Sequence, residues 1–513
     1  MIARDGSCIS LWQDTAEEYQ TQNNELKKSF DVAIVGGGIT GITTALQLQK
    51  AGKNCVVFEA YNLCFGTTGG TTAHLNTLLD NPYNIIINKF GKENAQLVAQ
   101  STKDSIELIR SNIEEYNIDC GFQNASAYLY AQDDKQVKEL EDIHDACREV
   151  NVKAVYQENL PINIDYKKVM RVDGQAKFHP VKYVHALAKA FEEIGGVILQ
   201  QCRVLDIKEN GIINIVTEKG NFQSQYLIYA THIPTGINLL HLRCAPYRSY
   251  AMAVTLKNKN YPEDLFYDMY DPYHYIRSQQ IKDQTYLIVG AEDHKTGHIE
   301  NTDECFSKLE AYVKKYFDVD EVVNKWSSQY FEPADALPYI GHLPGHKENI
   351  LVATGYGGNG MTYSHVAALT LKSIVLNEDN PYIKLYDPNR IKPVAGFVSF
   401  LSHNADVARM FVGKWFTHEK LKELEDIAPG EGKVVRFEGE TIALHKDKEG
   451  KLHALNPTCT HMKCSVAWNN AEQSWDCPCH GARYNISGYV VTGPANMQLQ
   501  KIEVKELLES TKH

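Results

Sequence analysis

Polar positions dominate residues 1 to 29, where the pattern predicts a short arm with one helical patch around Asp14 to Tyr19. At Phe30 the pattern changes. Phe30-Asp-Val-Ala-Ile-Val35 is a compact apolar run, Ile42 to Lys50 supplies helix formers with apolar spacing, and Cys55-Val-Val-Phe58 gives a second apolar run. A β-α-β unit is expected. The middle of the chain alternates helical stretches, Asn94 to Tyr116 and Val181 to Ile194, with strand-like runs at Val197 to Leu199 and Tyr226 to Ala230. Its strand order is not readable from the pattern. Strand-then-glycine returns at Ile350 to Gly355, followed by a helix from Thr362 to Leu376. Asn377 to Asp387, rich in Asn, Asp and Pro, reads as a boundary. Val394 to Phe416 is apolar enough for one or two packed helices, with the charged run His418 to Asp426 behind it. From Pro429 the chain becomes short strands broken by Gly and Asp turns, among them Val434 to Phe437 and Thr441 to Leu444, which predicts a separate small β domain.

Gly36-Gly-Gly38-Ile39-Thr40-Gly41 lies between the first expected strand and helix, and Glu59 ends the next strand. The first glycine of such a motif makes the turn, the second lets the backbone approach a pyrophosphate, and the third lets helix and strand pack closely. The helix N-terminus then faces the phosphates, while Glu59 accepts from a ribose hydroxyl and repels a 2′-phosphate, which argues against NADP. A ligand-free glycine turn is the plain alternative, and the β-α-β context with the acid in place weighs against it. Gly355, Gly357 and Gly360 repeat the spacing, but no clear strand leads to Glu378 and Asp379, so a second nucleotide site is not expected.

Composition narrows the class. The chain has 513 residues, 43% hydrophobic and 23% charged, which is the ordinary globular range. Its length suits about three domains. With 52 Lys and Arg against 64 Asp and Glu the net charge is −12, so no attraction to nucleic acid or anionic lipid is expected. No apolar run reaches signal-peptide or membrane-spanning length, and eight of the 12 cysteines are scattered. A reducing, cytoplasmic setting is the expectation. The other four, Cys459, Cys464, Cys477 and Cys479, are clustered, as metal sites often are.

Together, the Gly36 to Gly41 motif with Glu59, the small-residue loop Gly66 to Ala73 and the segment Gly355 to Met361 resemble the glycine oxidase and D-amino acid oxidase family of FAD enzymes. The resemblance covers roughly residues 30 to 376. It implies FAD held by Gly36, Gly38, Ile39, Thr40, Gly41, Glu59 and Ala60, with Gly66, Thr67, Thr68 and Thr72 close to the ring system. It further implies Val204, Ala230 and Thr231 near the adenine, and Gly355, Gly358, Gly360 and Met361 bringing a helix N-terminus toward the flavin pyrimidine.

Cys459-Thr-His461 and Cys477-Pro-Cys-His480 form a C-x-H and C-x2-H pair that fits a Rieske [2Fe-2S] centre, with thiolates on one iron and imidazoles on the other. A structural zinc site also accepts two Cys and two His and is the competitor. The segment resembles the Rieske domains of respiratory and photosynthetic complexes, which implies a disulfide between Cys464 and Cys479 and a proline loop at Gly493-Pro-Ala495. One departure stands out. High-potential members carry Ser where this chain has Ala482, whereas Tyr484 keeps the second donor position, so a potential below the top of the family range is expected.

The expected fold is thus an α/β FAD-binding, Rossmann-like domain of glycine oxidase type plus a small all-β Rieske domain. The division is an arm at 1–29, the FAD domain with its substrate subdomain at 30–376, a partly helical connector at 377–426 and the Rieske domain at 427–513. Nearly the whole length of the chain resembles bacterial FAD-dependent oxidoreductases with a C-terminal Rieske domain. That implies oxidation of an amine or amino acid donor, with electrons passing singly from FAD to the cluster and on to an external acceptor. A reductase component feeding a partner oxygenase and a non-enzymatic redox sensor are the alternatives. For the pocket, strand alternation would place Tyr273, Tyr275 and Arg277 on one face, where Arg277 could clamp a carboxylate. His294 and Lys295 are the candidates for proton handling, against the plain reading of a hairpin with surface charges. Cys64 beside the small-residue loop is a candidate for flavin attachment, with an inert thiol the plainer expectation. No pattern reports the oligomeric state.

Overall fold

The computed structural model describes residues 4–22, 26–390, 427–437 and 440–503. The expected helices between 394 and 416 lie outside them. At the centre of the first layer, Ser29–Val35 pairs in parallel with Cys55–Phe58 on one side and Gly220–Tyr229 on the other. Val197–Leu199 extends the sheet beyond Cys55–Phe58, and Ile350–Thr354 extends it beyond Gly220–Tyr229. These strands read as continuous apolar runs because the central ones are covered on both faces, as parallel sheets require. The helix Ile39–Lys50 packs against Gly360–Leu376 and Pro180–Glu193 on one side of the sheet. The strand order that the pattern left open is therefore set by crossovers between segments more than 120 residues apart.

A second, mostly antiparallel sheet of nine strands stands beside the first. Its long strands are Cys244–Leu256, Gln284–Lys295 and Val319–Pro333, with Tyr275–Ile281 next to Gln284–Lys295. This sheet forms the wall of a large cavity whose floor is the parallel sheet's C-terminal edge. The Rieske segment forms two four-stranded antiparallel sheets packed around the buried Trp475.

Three sequence expectations change. The helix near the N-terminus is Leu11–Asp14, started by Ser10, whose Oγ accepts from the Gln13 amide at 3.3 Å, and Thr15 to Tyr19 is not helical. The polar arm carries an apolar anchor, Leu11 and Trp12, both fully buried. The segment expected to open the connector contains the short helix Pro381–Leu385, and Tyr386 after it is fully buried. Tyr382 donates to Asp104 at 2.5 Å, and Arg390 bridges to Asp335 at 2.7 Å, so the chain stays attached to the first body as far as Arg390. No helix among the described residues is long and apolar enough to cross a membrane.

Candidate active site and metal centre

The glycine motif is built for close approach. Gly36 has φ +115°, and a Cβ there would sit 2.5 Å from the Ala230 carbonyl oxygen. At Gly41 a Cβ would lie 1.9 Å from the Gly36 carbonyl oxygen, so only glycine lets the helix start against the strand. Glu59 accepts from the amides of Gly37 at 2.7 Å and Tyr61 at 2.8 Å, and burial pushes its carboxyl up. Thr68 Oγ1 accepts from the Ile39 amide at 3.1 Å, bringing the small-residue loop onto the helix N-terminus.

Of the residues assigned to FAD, Gly36, Gly38, Ile39, Thr40, Glu59, Ala60, Gly66, Thr67, Thr68, Thr72, Val204, Ala230, Thr231, Gly358, Gly360 and Met361 line the large cavity. Gly41 and Gly355 do not. Gly41 serves packing, and Gly355 (φ +73°) makes the turn that leads toward the helix Gly360–Leu376. A cradle of glycines running from a helix N-terminus to a buried acid fits a dinucleotide diphosphate and ribose. Cys64 is buried outside the cavity lining, and burial pushes its thiol above the ordinary range, so it is not poised for attachment.

The far end of the cavity is lined by His74, Asn76, Asp80, Ser249, Ala251, Tyr267, Tyr273, Tyr275, Asp293 and Tyr330. Asp293 is held by Ser249 Oγ and by Tyr330, which donates at 3.0 Å, and burial raises its carboxyl to about 7. Asp80 accepts from the Gly358 amide at 2.6 Å and from Tyr273 at 3.1 Å, and burial raises it too. Tyr267 accepts from Asn76 at 2.8 Å and donates to His74 Nδ1 at 2.7 Å. Burial, and then the charges of Arg277 and Lys177, keep His74 neutral. Gly290 makes room for Tyr275, because a Cβ there would lie 2.1 Å from the ring.

Tyr275 faces this cavity, but the other three residues expected to act there do not. Arg277 is fully buried beside the cavity, where it donates to the carbonyls of Thr72 at 3.1 Å, Ala73 at 2.5 Å, Phe178 at 3.3 Å and Ser278 at 3.3 Å and to Gln279. Tyr273 lines the cavity with Tyr275, although it lies before the strand that begins at Tyr275; of the three residues expected on one face, Arg277 is the one that does not reach the cavity. His294 donates from Nδ1 to the Lys295 carbonyl at 2.9 Å and accepts from Tyr250 at 3.1 Å; neither His294 nor Lys295 lines the cavity. The cause is local. Pairing slips between Arg248 and Tyr250, and Glu292 takes φ +60°, which turns Asp293 rather than His294 to the inner face. Alternation by itself carries no sign of such a bulge.

In the C-terminal domain, Cys459, His461, Cys477 and His480 are all buried on two facing loops. The thiols pair with each other, and the hydrogen bond from Cys477 lowers Cys459 to about 7. The two imidazoles also face each other, at 5.1 Å between ring centroids. A split into a sulfur pair and an imidazole pair matches a two-iron centre, whereas zinc draws four donors to one point. His461 Nδ1 is buried without a hydrogen-bond partner, as a nitrogen meant for a metal would be. Cys464 and Cys479 form a disulfide that joins the loops beside Cys477. Tyr484 Oη lies 3.2 Å from Cys459 Sγ, while Ala482 is fully buried and offers no donor.

Comparison with known proteins places both sites in families. A model of FAD dependent oxidoreductases matches residues 31–373, and a Rieske [2Fe-2S] domain model matches 415–503. The Rieske 2Fe-2S iron-sulfur protein YhfW of Bacillus subtilis (strain 168) is 34% identical over 477 residues, which is 92% of this chain and 93% of that one. The gamma-glutamylputrescine oxidoreductase of Escherichia coli (strain K12) is 25% identical over 67% of this chain and 83% of its own. Among solved structures, glycine oxidase from Geobacillus kaustophilus superposes with a TM-score of 0.60 at 17% identity, covering 71% of this chain and 100% of that one.

Proposed function

The chain belongs to the FAD dependent oxidoreductase family and bears a Rieske [2Fe-2S] domain, and from that footing we propose that it oxidises a small amine and passes the electrons singly to an external acceptor. Bound FAD supplies a two-electron acceptor and the [2Fe-2S] centre a one-electron exit. Gly36, Gly38, Glu59 and Thr231 would hold the dinucleotide, and Cys459, Cys477, His461 and His480 the two irons.

Asp293 carries the amine reading. An ammonium entering the cavity meets a buried carboxylate, Asp293, and the rings of Tyr267, Tyr273, Tyr275 and Tyr330, a wall that favours a cation. Asp293 also accepts the proton that an ammonium must lose before its carbon–nitrogen bond can be oxidised, and it does so as a carboxylate above about pH 7. An α-amino acid would need a cationic partner for its carboxylate. Arg277, the expected partner, is spent on backbone carbonyls, and Arg203, the one Arg or Lys among the described lining residues, lies over the Tyr61 ring beside Glu59. The name of the Escherichia coli relative agrees with an amine donor.

Anaerobic rapid mixing with alkyl monoamines, diamines and neutral amino acids tests this. Amines are expected to bleach the flavin band, with the paramagnetic signal of the reduced cluster following. A protein bleached by none of them would remove the reading.

A further inference from the structure

The Rieske domain is seated on the flavin domain by a buried charge network that the electron-transfer reading does not by itself require. Glu472 accepts from the Ser327 amide at 2.9 Å and Ser327 Oγ at 2.6 Å, both on the strand Val319–Pro333 that lines the flavin cavity. Its other oxygen accepts from the Ser7 amide at 2.9 Å, and Arg4 stands 3.6 Å from the oxygen that Ser327 engages. Arg483 donates to Asp5 through the carbonyl at 2.6 Å and the carboxylate at 3.1 Å, and to Asp476 at 3.1 Å. Arg248 of the wall strand closes the ring, 3.6 Å from Asp476. Asp5, Arg248, Glu472, Asp476 and Arg483 are all at most 3% exposed. The N-terminal arm is thus threaded between the two domains as a staple.

What the staple holds in place is the cluster's imidazole edge. His461 donates from Nε2 to the Gly236 carbonyl at 2.9 Å, and the His241 ring lies 4.5 Å from His461 and 5.8 Å from His480. Gln329, which lines the flavin cavity, donates to the carbonyl of Gly481, the residue after His480, at 2.9 Å. Gly481 has φ +74°, and a Cβ there would sit 2.7 Å from Gln329 Nε2 and 2.9 Å from Pro246 Cβ, so the backbone is seated as closely as glycine allows. Gly493 and Ala495 of the proline loop border the same cavity.

We infer that Glu472 is a positioning residue: with the N-terminal arm it keeps the cluster domain seated, so electrons cross from the flavin cavity without the domain leaving its place. Breaking one partner of a buried charged network leaves the others desolvated and unpaired, which favours an unseated domain. The inference rests on the reading that FAD feeds the cluster. With both groups bound, each crossing would carry one electron from reduced FAD to the diferric cluster, the flavin's protons would leave to solvent over the two crossings, and the external one-electron acceptor would take each electron onward before the next.

The test uses the holoenzyme and its Glu472→Ala and Glu472→Gln variants. Glu472→Ala should leave the rate of flavin bleaching by the donor unchanged and slow the later appearance of reduced cluster, about tenfold if only a tenth of molecules stay seated. Glu472→Gln, which keeps the shape, should fall between. Hydrogen exchange at the Ser7 and Ser327 amides should be slow in the wild type and fast in Glu472→Ala, a readout independent of turnover. In the wild type the transfer rate should not change with added glycerol, whatever the variants do. A Glu472→Ala rate equal to the wild type, or a wild-type rate that falls in proportion to viscosity, would overturn the inference. A wild-type cluster that stays oxidised while the flavin bleaches would remove the electron path itself and the inference with it.

Discussion

His461 Nε2 donates to the main-chain carbonyl of Gly236 at 2.9 Å, so a cluster ligand of one domain is hydrogen-bonded to the backbone of the other. The loop that presents Gly236 is itself fixed by His241, which donates from Nε2 to Pro234 at 2.9 Å and accepts at Nδ1 from the Asn238 amide at 3.2 Å. Burial, and then the neighbouring His461, lower His241 to about 4, so it stays neutral and keeps both roles. Replacing His241 by Ala leaves these two backbone groups buried and unmatched, at about 1–3 kcal/mol each. A lower melting temperature and faster bleaching of the cluster absorbance are expected.

Asp293→Asn tests the donor site. The apparent KM for an amine should rise by about 10- to 100-fold, equivalent to losing a charge-assisted contact of about 1.5–3 kcal/mol. The pH profile gives an independent check. The wild-type carboxyl at about 7 ionises as pH rises, so kcat/KM for an amine should climb through pH 6 to 7 and then level, and the Asn variant should lose that limb. The stability sign is opposite. A carboxyl raised from 3.8 stabilises the fold most fully at low pH and loses that contribution as pH rises through about 7, so the variant should gain melting temperature relative to wild type at pH 8 and not at pH 4.

Arg277→Met should cost stability without altering donor preference. Four backbone carbonyls lose a donor, and the ring of Trp12 loses the guanidinium 5.4 Å from its centroid. A loss of about 3 kcal/mol is expected by denaturant unfolding. The ratio of amine to amino acid turnover should stay unchanged, whereas a substrate clamp would shift it.

Ala482→Ser should raise the cluster potential. The new hydroxyl restores a donor to the reduced, more negative centre, and a bond of about 1.5–3 kcal/mol to a charged acceptor corresponds to about 60–130 mV for one electron. A redox titration followed by electron paramagnetic resonance measures it, and a potential that failed to rise would refute the assignment of a missing donor at this position.

Glu59→Ala should release FAD. Its carboxylate satisfies the Gly37 and Tyr61 amides and is the only acidic side chain at the end of the second strand. Fluorescence titration of the flavin-stripped protein should show at least about tenfold weaker binding, the equivalent of one lost hydrogen bond of about 1.4 kcal/mol.

Local pattern determined much of this protein. The Gly36 to Gly41 motif and Glu59 are legible because a pyrophosphate turn constrains neighbours in the chain, and residues assigned from it line the cavity. The Cys and His spacing is legible for the same reason, since both cluster loops are short and each carries one ligand of each kind. Tertiary structure decided what depends on distant segments. Arg277 left the cavity because backbone carbonyls from residues about 200 positions away captured its guanidinium, while a bulge at Glu292 turned Asp293 rather than His294 inward. The polar arm at the N-terminus showed no period because its order comes from outside itself. Asp5 and Ser7 find Arg483 and Glu472 more than 460 residues later, and only folding brings those charges together where burial makes their pairing obligatory.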